Sequence, residues 1–173
     1  ELSRSPVIFS HSSARALCDS PRNAPDNILK KLAERGGVIM ITFVPMFLTD
    51  TARKYYSAKN EAMEPWRQKY HNDLTKLRKI AAEWETNHPR PHTSLKDIAD
   101  HIDHVKNVIG TDHIGLGSDF AGFRDPPAGM EDVSRYPQLL KELLNRGYSE
   151  PDIRKIVGEN ILRVMKNVED ISG

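Results

Sequence analysis

The sequence predicts an α/β fold in which parallel strands are joined by crossover helices. Three observations carry that expectation. Apolar runs at 6–11, 38–44 and 113–119 have the residue types of buried strands. Segments with helical periodicity lie between and after them, the alternation of a parallel sheet. The run Val38-Ile-Met-Ile-Thr-Phe-Val44 is apolar almost without interruption, as a strand covered on both faces must be. Three parallel strands cannot close a barrel, and a closed barrel of this kind takes about 250 residues. A chain of 173 residues is then either part of a barrel or a small open sheet. Both architectures bind ligands at the carboxyl ends of their strands.

The first strand reads Pro6-Val-Ile-Phe-Ser-His11 and is followed by two serines. A helix is expected over 26–35, stopped by Gly36-Gly37 in the manner of a C-cap. The second strand follows directly. A charged helical insert occupies about 48–90. Within it, one long helix from 61 to about 85 is expected on the period of Met63, Trp66, Tyr70, Leu74, Leu77 and Ile80. Its Trp66, Tyr70 and Leu74 stripe reads as the packing face of the insert. Ser94, with Asp97 three residues on, has the spacing of a capping box for a helix to about 108. The third strand, at 113–119, leads into a Gly/Pro-rich loop at 124–129. Two helices, over about 131–146 and 150–169, close the chain. Ser149 caps the last of them and Pro151 is expected at its first position, where a missing N–H costs nothing. With 173 residues the chain is long enough for one domain with a real core, and residues 1–173 are expected to belong to a single domain, as its C-terminal portion if the strands are part of a barrel.

Composition narrows the function. The chain has 25 basic and 24 acidic residues with no basic block, so it lacks the concentrated positive surface that nucleic acid requires. A single cysteine, Cys18, rules out an internal disulfide framework and has no neighbouring base to make it a nucleophile. No apolar run approaches the roughly 20 residues of a membrane span, and the opening residues do not read as a signal peptide. The expected protein is soluble. Its compartment is left unassigned, with a weak cytoplasmic reading, because any leader or anchor would lie upstream. The start, Glu-Leu-Ser-Arg-Ser-Pro6, enters a strand within a few residues and carries no initiator Met. It reads as a cut through a larger protein.

Two residues stand at predicted strand ends, His11 at the end of the first and Asp119 at the end of the third. Each alone fits a turn or cap. Together, an imidazole and a carboxylate from strand ends can share a metal-bound water. Arg22, in Ser20-Pro-Arg-Asn23, carries a planar fork suited to a substrate carboxylate, although a loop arginine is solvated by default. His101 and His104 share a helix face at i, i+3, but no third ligand supports them as a metal pair. His71, His88, His92 and His113 read as surface or strand-edge residues.

Seven blocks, in order, resemble the C-terminal half of the membrane (renal-type) dipeptidases, zinc dipeptidases of the metal-dependent amidohydrolase superfamily. They are Pro6-Val-Ile-Phe-Ser-His-Ser-Ser-Ala14, Pro21-Arg-Asn-Ala-Pro-Asp26, Gly36-Gly-Val-Ile-Met40, Asp97-Ile-Ala-Asp-His-Ile-Asp-His104, Gly115-Leu-Gly-Ser-Asp-Phe120, Gly129-Met-Glu-Asp-Val-Ser-Arg-Tyr-Pro137 and Asn160-Ile-Leu-Arg-Val164. The resemblance implies that the strands are the sixth to eighth of a TIM-type (β/α)8 barrel. It implies that His11 is a ligand of one of two zinc ions and that Arg22 grips the terminal carboxylate of a dipeptide. Asp119 would be the acid/base that moves protons beside the metal-bound water. The family's other ligands, a His-x-Asp, a bridging glutamate and another histidine, belong to an N-terminal half outside these residues. A homodimer is compatible with the resemblance.

The sequence departs from the family pattern at two places. Asp119-Phe-Ala-Gly122 stands where members usually read Asp-Phe-Asp-Gly, and Thr42-Phe-Val44 where Asn-Phe-Tyr is common. Two functions are therefore carried forward. One is a zinc-dependent dipeptidase present as a partial chain, inactive without its other half. The other is a catalytically impaired barrel relative that binds metal or peptide.

Overall fold

Val38–Ile41 (β2) is the strand around which the rest of the chain is arranged. Val38, Ile39 and Ile41 are fully buried, as the β-branched composition of the run requires. It pairs in parallel with Ile8–Ser12 (β1) on one side and Ile114–Leu116 (β3) on the other, giving the order β1-β2-β3. Ile39 faces Phe9 in one ladder and Ile114 in the other. This computed structural model describes residues 5–172, so the opening Glu-Leu-Ser-Arg of the sequence lies outside the described residues.

The ladders are shorter than the apolar runs. Thr42, Phe43 and Val44 remain buried but leave β2. The Thr42 N–H donates to the Ser12 carbonyl and the Phe43 N–H to the Ser118 carbonyl. Outer strands of a flat three-stranded sheet lie about 9.5 Å apart. Here a Cβ on Gly117 would come within 2.1 Å of the Ser10 carbonyl oxygen and 2.9 Å of Met40 Cβ. The chain around β1 and β3 therefore closes over Met40, and the sheet curls. A side chain larger than hydrogen at 117 would force it open.

Asp26–Glu34 (α1) ends as expected, with Gly36 in the left-handed conformation just past it. Leu95–Ile109 (α4) opens with the predicted capping box of Ser94 and Asp97. It buries Ile98, Ile102 and Val105, spaced by four and three residues along one face, against α1 and the sheet. Each such aliphatic side chain contributes about 1.5–3 kcal/mol by leaving water.

The insert differs from its expected form. It is two helices, Asp50–Lys69 (α2) and Leu74–Asn87 (α3), in place of one beginning at 61. Thr49 caps the first by accepting from the Ala52 N–H. The Asp73 carboxylate accepts from the Lys76 N–H and starts a second helix where the apolar period alone would continue the first. The expected packing stripe is also overturned. Trp66 is 39 % and Leu74 64 % exposed, and the Trp66 ring lies parallel to that of Tyr70 at 6.1 Å. The helices meet instead through Tyr55 and Trp84, 5.3 Å apart, and the Lys59–Glu85 ion pair. Ala52 and Met63 are the side chains that α2 buries.

The C-terminal helices also start later or break. A 3₁₀ turn at Val133–Arg135 precedes Tyr136–Asn145 (α5). The last helix runs as Glu150–Arg154 (α6), a π-helical turn at Lys155–Glu159, and Asn160–Ser172 (α7). Pro151 is its second residue, still inside the turn whose N–H groups lack helical partners. Directly after the π turn, the Asn160 amide donates to the Thr111 and Ile114 carbonyls and pins the helix to the start of β3. Among the described residues, no helix is long and apolar enough to cross a membrane.

Candidate active site at the carboxyl ends of the strands

The loop after β1 is built from the inside. The Ala24 N–H donates to the Ser13 carbonyl and the Arg15 N–H to the Ala24 carbonyl, closing the loop at its base. Asn23, only 2 % exposed, fills it: Oδ1 accepts from the Ser13 N–H, and Nδ2 donates to the Cys18 and Phe47 carbonyls. The Arg15 guanidinium donates to the carbonyls of Ser20, Pro21 and Asn23. With its backbone groups satisfied in this way, the loop has one conformation to hold. Its small Cys18 thiol is buried and pushed up to about 11, by burial first and the Asp50 carboxylate second. A thiol in that state is no nucleophile.

Arg22 is hung from the end of β1. The Ser12 hydroxyl donates to the Arg22 carbonyl at 2.8 Å, and the guanidinium lies 5.5 Å from the centre of the Phe47 ring. The guanidinium Nη2 stands 2.9 Å from Nε2 of His11. Guanidinium nitrogens only donate, so Nε2 accepts and the imidazole proton sits on Nδ1, which faces the Ser10 hydroxyl at 3.0 Å. A metal ion on Nε2 would need the lone pair that Arg22 now holds.

Asp119 lies beyond β3, in a turn. Its φ of 57° is the one left-handed conformation outside glycine among the described residues, which costs about 1–2 kcal/mol for an L-residue. Phe120 anchors that turn by packing edge-on against Phe43 at 5.7 Å. The Gly122 N–H closes it on the Asp119 carbonyl at 2.7 Å. The exposed carboxylate rests on Gly122, where a Cβ would lie 2.3 Å from Oδ2. Ala121 beside it is exposed.

The helical histidine pair is taken up in structure. His101 is fully buried; Nδ1 accepts from the Ala14 N–H at 3.1 Å and Nε2 donates to the Leu48 carbonyl at 2.9 Å. Burial holds its pKa below the ordinary histidine value. His104 pairs with Asp26, and His113 Nδ1 with the Gly37 carbonyl. His71, His88 and His92 are exposed. Among the described residues, no three His, Cys, Asp or Glu side chains lie together as a metal site. An imidazole lone pair suits zinc, so His11 fits as one donor once Arg22 gives up the nitrogen it now occupies. A catalytic zinc normally takes three protein ligands, a set the described residues do not assemble. The sequence reading missed Asn23, Arg15 and His101 as organisers of the loop. Asn23 was findable only by its place between Pro21 and Pro25.

The chain matches known proteins along its whole length. Residues 1–173 match the membrane dipeptidase family, peptidase family M19. The chain is 37 % identical over 172 residues to dipeptidase tcpJ of Claviceps purpurea and 39 % over 171 residues to dipeptidase aclJ of Aspergillus oryzae. Each match covers 99 % of this chain and 32 % of the relative, so the chain spans about a third of their length. Among solved structures it is similar to the probable dipeptidase PvdM from Pseudomonas aeruginosa, with a TM-score of 0.74 at 29 % identity. That match covers 98 % of this chain and 46 % of that one. It is also similar to a metallopeptidase from Rhodobacter sphaeroides, solved with a phosphinate mimic of the dipeptide L-Ala-D-Ala, with a TM-score of 0.69 at 26 % identity. There the cover is 96 % and 37 %. With a family match over all of its residues and an α/β fold shared with these structures, this chain belongs to the membrane dipeptidases, peptidase family M19.

Proposed function

We propose that residues 1–173 are the C-terminal part of a TIM-type (β/α)8 barrel, strands six to eight, in a protein that hydrolyses dipeptides with zinc. The observation that carries the reading is that His11, among the last residues of β1, and Asp119, just past β3, stand at the carboxyl end of the sheet, with Arg22 in contact with His11. That is the end of the sheet where barrel enzymes keep their chemistry. The curl of the sheet supports a barrel segment, as does the exposure of Val7 (45 %) and Ile8 (37 %) at the start of edge strand β1.

In this reading Arg22 binds the dipeptide carboxylate through its guanidinium fork, steadied by the Phe47 ring. Asp119 takes a proton from the attacking water and delivers it to the leaving amine. His11 would hold zinc through an imidazole nitrogen. When bound, zinc supplies Lewis-acid polarisation of the peptide carbonyl. Two ions are expected from the family resemblance, the remaining ligands coming from the rest of the protein.

A second reading, an impaired relative that binds without turnover, rests on Ala121 standing where an aspartate is usual. One experiment separates them: hydrolysis of simple dipeptides by the full-length protein, metal-free and after zinc is added. Zinc-dependent turnover supports the enzyme, and dipeptide binding without turnover supports the impaired relative.

A further inference from the structure

Beyond the strand ends lies a cleft of about 430 Å³ between α2 and the loop after β3. That volume lies within the range of small-molecule sites, roughly 300–1,000 Å³. Its walls include Val44, Pro45 and Met46 just after β2, and Gly122, against which the Asp119 carboxylate rests. The cleft therefore begins at the turn that displays Asp119. The Arg22 guanidinium lies over Phe47, the next residue along the Val44–Met46 wall.

Its charge is one-sided. Lys59, Arg67 and Arg124 line it, with Asp125 as the single acidic member. Asp125 is already spent: Arg90, which is not part of this lining, forms an ion pair with it, and the Tyr56 hydroxyl donates to Oδ2 at 3.3 Å. Lys59 is matched by Glu85, and Arg67 is held by the Asn60 side chain with Glu64 3.7 Å away. Arg124 has no ion pair or hydrogen bond among the described residues. A guanidinium left open in a cleft beside a reaction centre selects a carboxylate, which it can bind through two parallel N–H groups.

We propose that this cleft receives an acidic side chain of the substrate, so that the complete enzyme prefers dipeptides containing aspartate or glutamate. The inference rests on the dipeptidase reading above and adds the substrate class. Arg124 is the specificity residue, Lys59 and Arg67 contribute positive field, and Tyr56 with Arg90 keeps Asp125 from repelling the ligand.

The test compares the zinc-loaded full-length protein with its Arg124→Gln variant on two near-isosteric pairs, Ala–Glu against Ala–Gln and Glu–Ala against Gln–Ala. In the native protein, kcat/KM for the acidic member of at least one pair should exceed that of its amide by about tenfold or more, the worth of one charge-assisted hydrogen bond. The preference should shrink as salt is added. In Arg124→Gln the ratio should fall close to one, with the loss on the acidic member. A ratio near one in the native protein, or a preference that survives Arg124→Gln, overturns the assignment. If none of the four peptides is hydrolysed, the dipeptidase reading fails, and calorimetric binding decides the cleft separately. Tighter binding of an acidic peptide than of its amide, lost in Arg124→Gln, supports it, and equal binding of all four peptides overturns it.

Discussion

The Arg22 guanidinium donates to Nε2 of His11 across 2.9 Å, so the lone pair of that nitrogen is taken. A metal ion on Nε2 and the Arg22 hydrogen bond exclude each other. Metal binding would release the guanidinium to face a substrate, and a substrate carboxylate would restore the charge partner it lacks.

Replacing Arg22 by Lys keeps the charge and removes the fork. In the full-length protein KM for a free dipeptide should rise about tenfold, as for one lost charge-assisted hydrogen bond, with kcat little changed. Steady-state kinetics on one dipeptide suffices. An unaltered KM takes Arg22 out of the substrate site.

Gly122→Ala should strike Asp119 without touching it chemically. The added methyl falls 2.3 Å from Oδ2, so the carboxylate must swing away. The loss in kcat should approach that of Asp119→Asn, about 10²–10⁴-fold for a general acid–base group. Zinc content should stay near normal in both variants. If Asp119→Asn loses only two- or three-fold, the residue is a turn former and no more.

His101 makes stability depend on pH. Its pKa is lowered in the folded protein by burial, while in the unfolded chain it stays near the ordinary 6.5. Between the two values the unfolded state binds more protons, so stability rises with pH in that window. The contribution is complete above about 6.5 and is lost as pH falls toward the lowered folded value. Denaturant melts from pH 7 to 5 should show this fall, and it should be smaller in His101→Gln. His101→Leu should cost about 1–3 kcal/mol for each of the two groups it orphans, the Ala14 N–H and the Leu48 carbonyl.

Ala121→Asp should raise activity or tighten metal binding in the full-length protein. The position is exposed and has room for a carboxylate that orients the neighbouring turn. Lower activity would mean that the alanine is an adaptation to a different substrate and not a lesion.

As an isolated polypeptide, residues 1–173 should take up little zinc, hydrolyse no dipeptide and tend to aggregate. The described residues bring one imidazole and one carboxylate to the strand ends, and Val7 and Ile8 are bare at the start of β1. Metal analysis and turnover of that polypeptide, alone and refolded with the remaining part of the protein, are the measurements. Stoichiometric zinc with turnover from residues 1–173 alone would contradict the half-barrel reading.

What the sequence determined by itself was local. The capping box at Ser94, the cap at Ser149, the stop at Gly36 and the apolar run of β2 depend on neighbours within a few residues, and each acts as its spacing predicts. The candidates His11, Arg22 and Asp119 were legible for the same reason, as residue types at strand ends and in quoted motifs. Tertiary structure decided the rest. The regular pairing of β2 stops at Ile41, although Thr42 and Phe43 still donate to the Ser12 and Ser118 carbonyls on either side. The insert became a hairpin because Tyr55 meets Trp84, 29 residues away, leaving Trp66 to the solvent. His101 became a core link because Ala14 and Leu48, 87 and 53 residues distant, present a donor and an acceptor to its ring. Only folding set Arg22 on His11 and left Arg124 alone in its cleft. Periodicity records which face of an element is apolar, but a hydrogen-bond partner far along the chain leaves no mark in the spacing of its neighbours.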